Sequence, residues 1–167
     1  MRTLIFMVGP SGAGKSTRAQ EIAHKYRDTS VLVEIFSTDD LFKVGGVYTF
    51  DRSKIDENHR KNRELVEAAM KDYLEAEKDI IAKEIELASI WGEEPAAGHI
   101  VIIDNTNTMQ WERKPYERLA SKYKYEIKFE VFPTSKEDLV KYAARNIHGL
   151  GLQQVQKQAA KIDVRAV

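Results

Sequence analysis

The run Gly9-Pro10-Ser11-Gly12-Ala13-Gly14-Lys15-Ser16-Thr17 has the residue types and spacing to hold a row of phosphates. It fits G-x-x-x-x-G-K-[ST] at every fixed position. Glycines let such a loop curl until successive backbone N–H groups face one anion, and a helix opening near Lys15 adds its positive end. Lys15 then supplies a point charge to the outer phosphates, and the Ser16 hydroxyl a ligand for Mg²⁺. At ordinary glycine content the pattern arises by chance in roughly one chain in two hundred of this length. Here a buried strand precedes it and a helix follows, which a chance glycine turn does not require. Gly9, Ser11, Gly12, Ala13, Gly14, Lys15, Ser16 and Thr17 are therefore read as the cradle of ATP or GTP with Mg²⁺.

Three acidic positions and one arginine complete a candidate constellation. Asp39 and Asp40 follow directly on an apolar strand, where open α/β sheets form their ligand crevice. A carboxylate there can orient an acceptor hydroxyl and take its proton, or it can cap the helix that follows. Asp40 reads mainly as a cap. Asp104 ends another apolar strand, where a carboxylate can reach Mg²⁺, and capping of the helix near Met109 is its other role. The adjoining Asn105 and Asn107 are open between the same two roles. Arg145 stands before a glycine-containing junction over about 143–152, where a mobile lid could carry it onto the transferring phosphate. A cation at a helix C-terminus also simply favours the macrodipole. His148 reads as a loop residue. His59, Arg60 and Arg63, near the start of a long helical stretch, are candidates to touch an acceptor.

The elements that must position these residues follow from apolar patterning. Thr3–Val8, Val31–Phe36, Ile100–Ile103 and Glu126–Phe132 read as strands. Helices are expected over 16–26, 41–44 (short), 109–122 with Pro115 in its first turns or kinking it, 136–146 capped by Ser135, and 153–161. From Ser53 to about Trp91 the pattern predicts one long helix or two, with Leu65, Ala68, Ala69, Tyr73, Ile80, Leu87 and Trp91 on its apolar face and Glu84 as a polar exception. Gly45-Gly46 marks a turn, 92–98 with Pro95 a loop, and the tail after Ile162 a candidate for disorder. Alternating strands and helices predict an α/β class protein, a three-layer α/β/α P-loop NTPase with a mainly parallel sheet of four to five strands, right-handed crossovers and a helical lid. All 167 residues read as one domain.

Composition narrows the function classes. Lys and Arg number 26, equal to Asp and Glu, so no basic coat for polynucleotide is present and any such contact must come from a local patch. No cysteine is present, which excludes disulfide and thiolate chemistry and fits a cytoplasmic, intracellular protein. No apolar run reaches membrane-spanning length, and Met1-Arg2-Thr3 leads into a strand rather than a signal peptide.

Taken together, Gly-Pro-Ser-Gly-Ala-Gly-Lys-Ser-Thr (9–17), Ser-Thr-Asp-Asp (37–40), Ile-Ile-Asp-Asn-Thr-Asn (102–107) and Ala-Arg-Asn-Ile-His-Gly (144–149) resemble, in that order, the polynucleotide 5′-hydroxyl kinase branch of P-loop kinases. The chain is similar to phage-type polynucleotide kinase domains, and more so to small AAA-type P-loop kinase domains of the sort fused to a nicking module in mammals. Tyr48-Thr49-Phe50-Asp51 and His59 share the likeness, which covers the chain except roughly residues 71–97, a family-atypical helical insertion. The resemblance implies Asp39 as general base, Lys15 and Ser16 as phosphate and Mg²⁺ ligands, and Arg145 as the first arginine of the lid. Two positions depart from that pattern. Phe42 stands where the family carries a substrate-binding arginine, and His148 and Gly149 stand where it carries a second lid arginine.

Three functions remain in competition. One is an ATP-dependent kinase of a nucleic-acid hydroxyl, either a 5′-end or a hydroxymethylated base in DNA. Another is a kinase of a nucleoside, nucleotide or other small molecule, and the last a nucleotide-binding interaction module with little turnover. The stretch 53–91 is also a candidate homo-oligomer contact.

Overall fold

A computed structural model describes residues 1–91, 97–147 and 149–163; the expected Pro95 loop, His148 and the tail from 164 lie outside them, as do the side chains of Val44 and Trp91. In chain order the elements are β1 (Arg2–Val8), α1 (Lys15–Lys25), β2 (Val31–Phe36), β3 (Lys43–Val44), β4 (Val47–Tyr48), α2 (Ile55–Trp91), β5 (Gly98–Ile103), α3 (Gln110–Tyr123), β6 (Glu126–Val131), α4 (Lys136–Arg145) and α5 (Leu152–Ala159). Short 3₁₀ turns occupy Thr38–Phe42 and Arg52–Lys54. The sheet has the order β2-β5-β1-β6, and its three pairings are all parallel. β3 and β4 form a separate antiparallel hairpin around Gly45-Gly46, whose φ values of 58° and 84° suit glycine.

The period-2 alternation of the central strands divides the core into two layers. Leu4, Phe6, Val8, Val101 and Ile103 point to one face, under Val66 and Met70 of α2 and Tyr116, Ala120 and Tyr123 of α3. Met7, Ile5, Ile100 and Ile102 point to the other, under Ala19 and Ile22 of α1. Helices thus cover both faces of a parallel sheet, the α/β architecture of P-loop NTPases. A third cluster of Ala13, Leu139, Tyr142 and Val155 packs α4 and α5 onto the glycine-rich loop.

α2 is one continuous helix of 37 residues, about 55 Å long. Its buried face matches the expected one only in part. Asn58, Asn62, Val66, Met70 and Tyr73 face inward, whereas Leu65 and Leu87 are exposed. The inward stripe is partly polar because its partners are polar: Asn62 donates to the Tyr116 hydroxyl at 2.9 Å, and Ser30 donates to Glu84. Hydrophobicity alone therefore missed Asn58, Asn62, Val66 and Met70, while the expected Tyr73 is buried and the Glu84 exception lies on the packed side. The short helix expected at 41–44 is instead the 3₁₀ turn Thr38–Phe42, followed by β3.

This facing is testable. Met70→Ala should lower stability by about 2–5 kcal/mol and Leu65→Ala by under about 0.5 kcal/mol in urea unfolding.

Candidate functional site

Three parallel strands end side by side, and backbone bonds lock the loops that leave them. The Gly9 N–H donates to Thr106 O at 3.0 Å, the Asp104 N–H to Phe36 O at 2.9 Å and Phe132 N–H to Val8 O at 2.9 Å. Thr38 N–H donates to Asn105 Oδ1 at 2.9 Å. The buried Asn107 amide donates to Met7 O at 2.8 Å and Ile103 O at 2.9 Å, stitching the ends of β1 and β5. Arg113, with no exposed surface, donates to Asn107 O at 2.7 Å from below. Asn105 and Asn107 thus hold the site's backbone together, and nothing in the isolated sequence marked Arg113 for this.

The glycine-rich loop wraps from β1 into α1 with Gly12 at φ 80° and Gly14 at φ 96°. A Cβ at Gly12 would collide with Tyr142 O, and one at Gly14 would sit 3.3 Å from Arg145 Nη2. Gly14 starts α1 without a side-chain cap, so the first-turn N–H groups are left for an anion. Burial pulls the Lys15 ammonium down to about 8, against the opposing pull of Asp104 and Asp39. Lys15 donates to Pro10 O at 2.9 Å. Burial pushes the Asp104 carboxyl above its usual range, against a hydrogen bond from Ser16 and the Lys15 charge.

Asp104 Oδ1 is buried without a hydrogen-bond partner. A hydroxyl beside a buried carboxylate with an unused oxygen is a donor set suited to Mg²⁺, which takes one or two protein oxygens and keeps its waters. Ser16 and Asp104 therefore fit the ion, which would supply charge neutralisation at the outer phosphates.

Arg145 reaches the loop from the end of α4. It donates to Gly12 O and, at 2.7 Å, to Ala13 O, with its guanidinium 5.0 Å from the centre of the Tyr142 ring. It braces the loop's carbonyls, a role the sequence did not suggest. Gln158 of α5 does the same for a donor, accepting from Ser11 N–H at 2.8 Å.

Asp39 lies on the 3₁₀ turn after β2, and that turn is capped by Ser37, which accepts from Asp39 N–H at 3.2 Å. Glu112 closes the start of α3, accepting from Met109 N–H at 2.8 Å. Neither capping role proposed for Asp39 or Asp104 is thus needed.

Two cavities meet at Asp39. One, of about 270 Å³, is walled by the glycine-rich loop, Lys15, Ser16, Thr17, Asp104 and Arg145. The other, of about 420 Å³, is walled by Phe42, Tyr48, Phe50, Ile55, His59, Glu112, Tyr116 and Gln158 among others. Ser11, Asp39, Asn105 and Thr106 line both. His59 lies 3.5 Å from Thr38 Oγ1, and burial holds its imidazole below its ordinary value. Asp40, Arg60 and Arg63 line neither cavity: Asp40 pairs with Lys43 at 2.5 Å and Arg60 with Glu64 at 2.9 Å, both at the surface.

The AAA domain family matches residues 4–163. The chain belongs to that family. NEDD4-binding protein 2 of Homo sapiens is 31% identical over 153 residues, 91% of this chain but 7% of the relative's length. Among solved structures, the Pnkp1/Rnl/Hen1 RNA repair complex contains a chain matching 96% of this one at 17% identity and a TM-score of 0.58. A further structure titled as that complex matches 84% at 22% identity and a TM-score of 0.55. The chain spans 44% and 38% of those two chains, and the likeness shows a shared fold. This AAA domain has a kinase-like P-loop fold, and none of its described helices is long and apolar enough to cross a membrane.

The Lys15 environment yields a pH dependence. A triphosphate needs the charged ammonium, so ATP affinity should be level below about pH 8 and fall above it, by up to about tenfold per unit. Titration calorimetry from pH 6.5 to 9.5 (chosen to span roughly the Lys15 transition) reads the slope, which Lys15→Met should abolish.

Proposed function

We propose that this AAA domain is an ATP-dependent phosphotransferase that moves the γ-phosphate to a hydroxyl of a nucleic acid, either a polynucleotide 5′-hydroxyl or a hydroxymethylated base in DNA. The observation that carries the reading is Asp39 lining both cavities, between the phosphate cradle and a pocket for a second ligand. In this reading Asp39 orients the acceptor hydroxyl and takes its proton. The acceptor oxygen bonds to the γ-phosphorus as the bond to the ADP oxygen breaks. Lys15 and the N–H groups of 12–17 hold the phosphates, and Ser16 and Asp104 hold Mg²⁺. Arg145 keeps the loop in shape and presents its remaining N–H groups to the transferring phosphate.

The segment 143–152 acts as the lid, and 71–97 is a family-atypical insertion. Exposed Leu74, Ile81, Ile85, Leu87 and Ile90 on α2 support that region as a contact with a second copy. His59 is the one proposed acceptor-contacting residue that borders the acceptor cavity; Asp40, Arg60 and Arg63 would meet only parts of the acceptor outside it. A second reading, a kinase of nucleosides or other small hydroxyl compounds, is favoured by the absence of lysine and arginine among the described residues that line that cavity.

Transfer from labelled ATP to 5′-hydroxyl oligonucleotides, modified-base DNA, nucleosides and nucleotides tests both readings. Asp39→Asn should lower kcat by about 10²–10⁴ with ATP affinity nearly unchanged. An unchanged kcat would remove Asp39 from the chemistry. Because Arg145 braces Gly12 and Ala13, Arg145→Ala should raise KM for ATP as well as lower kcat, by as much as about 10³. A fall in kcat with KM for ATP unmoved would separate Arg145 from the loop.

A further inference from the structure

The acceptor-side cavity has an electrostatic character that restricts its occupant. Its described lining holds two carboxylates, Asp39 and Glu112, and no lysine or arginine. A phosphate inside it would meet the like charge of Asp39 and Glu112 with no lysine or arginine in the described lining to pair with. Burial also keeps His59 towards its neutral form.

The same lining includes three aromatic side chains close together in sequence, Phe42, Tyr48 and Phe50. Phe42, 4% exposed, ends the 3₁₀ turn that carries Asp39. The Gly45-Gly46 hairpin folds the chain back, and Thr49 N–H donates to Phe42 O at 2.8 Å. That return sets the Phe50 ring 5.3 Å and the Tyr48 ring 6.2 Å from the Phe42 ring. Phe50 remains 58% exposed and Tyr48 37% exposed while bordering the cavity. Burying Phe42 explains the hairpin's return, but leaving a phenyl face open over a cavity gains nothing for folding. The volume, about 420 Å³, lies in the range of small-ligand sites.

Building on the phosphotransfer reading, we propose that Phe50, with Tyr48 and backed by Phe42, is a stacking platform for an uncharged planar heterocycle. The acceptor hydroxyl is then carried by a terminal nucleoside unit whose base enters the cavity and whose phosphates stay outside. Stacking tolerates any base, so recognition is of the nucleoside end and not of sequence.

The test is equilibrium binding of two single-stranded trinucleotides with a 5′-hydroxyl, one complete and one abasic at its 5′ residue, in the presence of a non-hydrolysable ATP analogue and Mg²⁺. The wild-type protein should bind the complete trinucleotide about tenfold or more tightly over the abasic one. Phe50→Leu should weaken binding of the complete trinucleotide by roughly 5- to 100-fold and erase the preference, and Phe50→Trp should keep it. Equal wild-type affinity for the two, binding of neither, or equal weakening of both by Phe50→Leu overturns the platform. Transfer measured separately distinguishes the two ideas. A preference in binding without any transfer sinks the kinase reading alone, and equal kcat/KM for both ends sinks the platform alone.

Discussion

Everything at this site depends on the carboxyl ends of β1, β2 and β5 being held in one plane by a few buried polar bonds. Each loop leaving a strand has backbone groups that no ladder can satisfy, and burial makes leaving them unpaired costly. Asn107 meets that demand with one amide spanning Met7 O and Ile103 O, and its own carbonyl is taken up by Arg113. Gly9 on Thr106 and Thr38 on Asn105 complete the lattice. The positions of Lys15, Asp39 and Asp104 follow from it, because each lies within a few residues of a locked backbone bond.

Burial has opposite consequences for the charges so placed. It lowers Lys15 and raises Asp104, each towards neutrality, while their mutual attraction opposes both shifts. A site of this kind is electrostatically unfinished. In the proposed reading a polyanion and a divalent cation would supply the charges that Lys15 and Asp104 otherwise balance against each other alone. The bracing of the loop by Arg145 and Gln158 from the C-terminal helices has a related effect. Arg145 ties the glycine-rich loop to α4 and Gln158 ties it to α5, so the two C-terminal helices are coupled to the loop's backbone.

Much of the frame was legible from local pattern. The strands over 3–8, 31–36 and 100–103 are apolar runs bounded by breakers, and each lies within a residue or two of its observed limits. The Ser135 cap with Asp138 was readable for the same reason, since a capping box is a contact between residues three apart. The facing of α2 was not. Its buried stripe runs through Asn58 and Asn62, and the Asn62 amide finds its partner in the Tyr116 hydroxyl, more than fifty residues along the chain.

The same division holds at the site. The sequence by itself determined the glycine-rich loop between β1 and α1, because a glycine loop, a lysine and a hydroxyl in that order work through their own backbone and their neighbours. It also determined the family to which the chain belongs, through motifs strung along nearly its whole length. Only the tertiary structure decided that Arg145 grips the carbonyls of Gly12 and Ala13 and that Gln158 accepts from the Ser11 N–H, across more than 130 residues of chain. It alone brought Phe42, Tyr48 and Phe50 together beside Asp39. These are contacts between groups on different elements, and their partners are chosen by how helices and loops pack on the sheet, which no local pattern of residue types encodes.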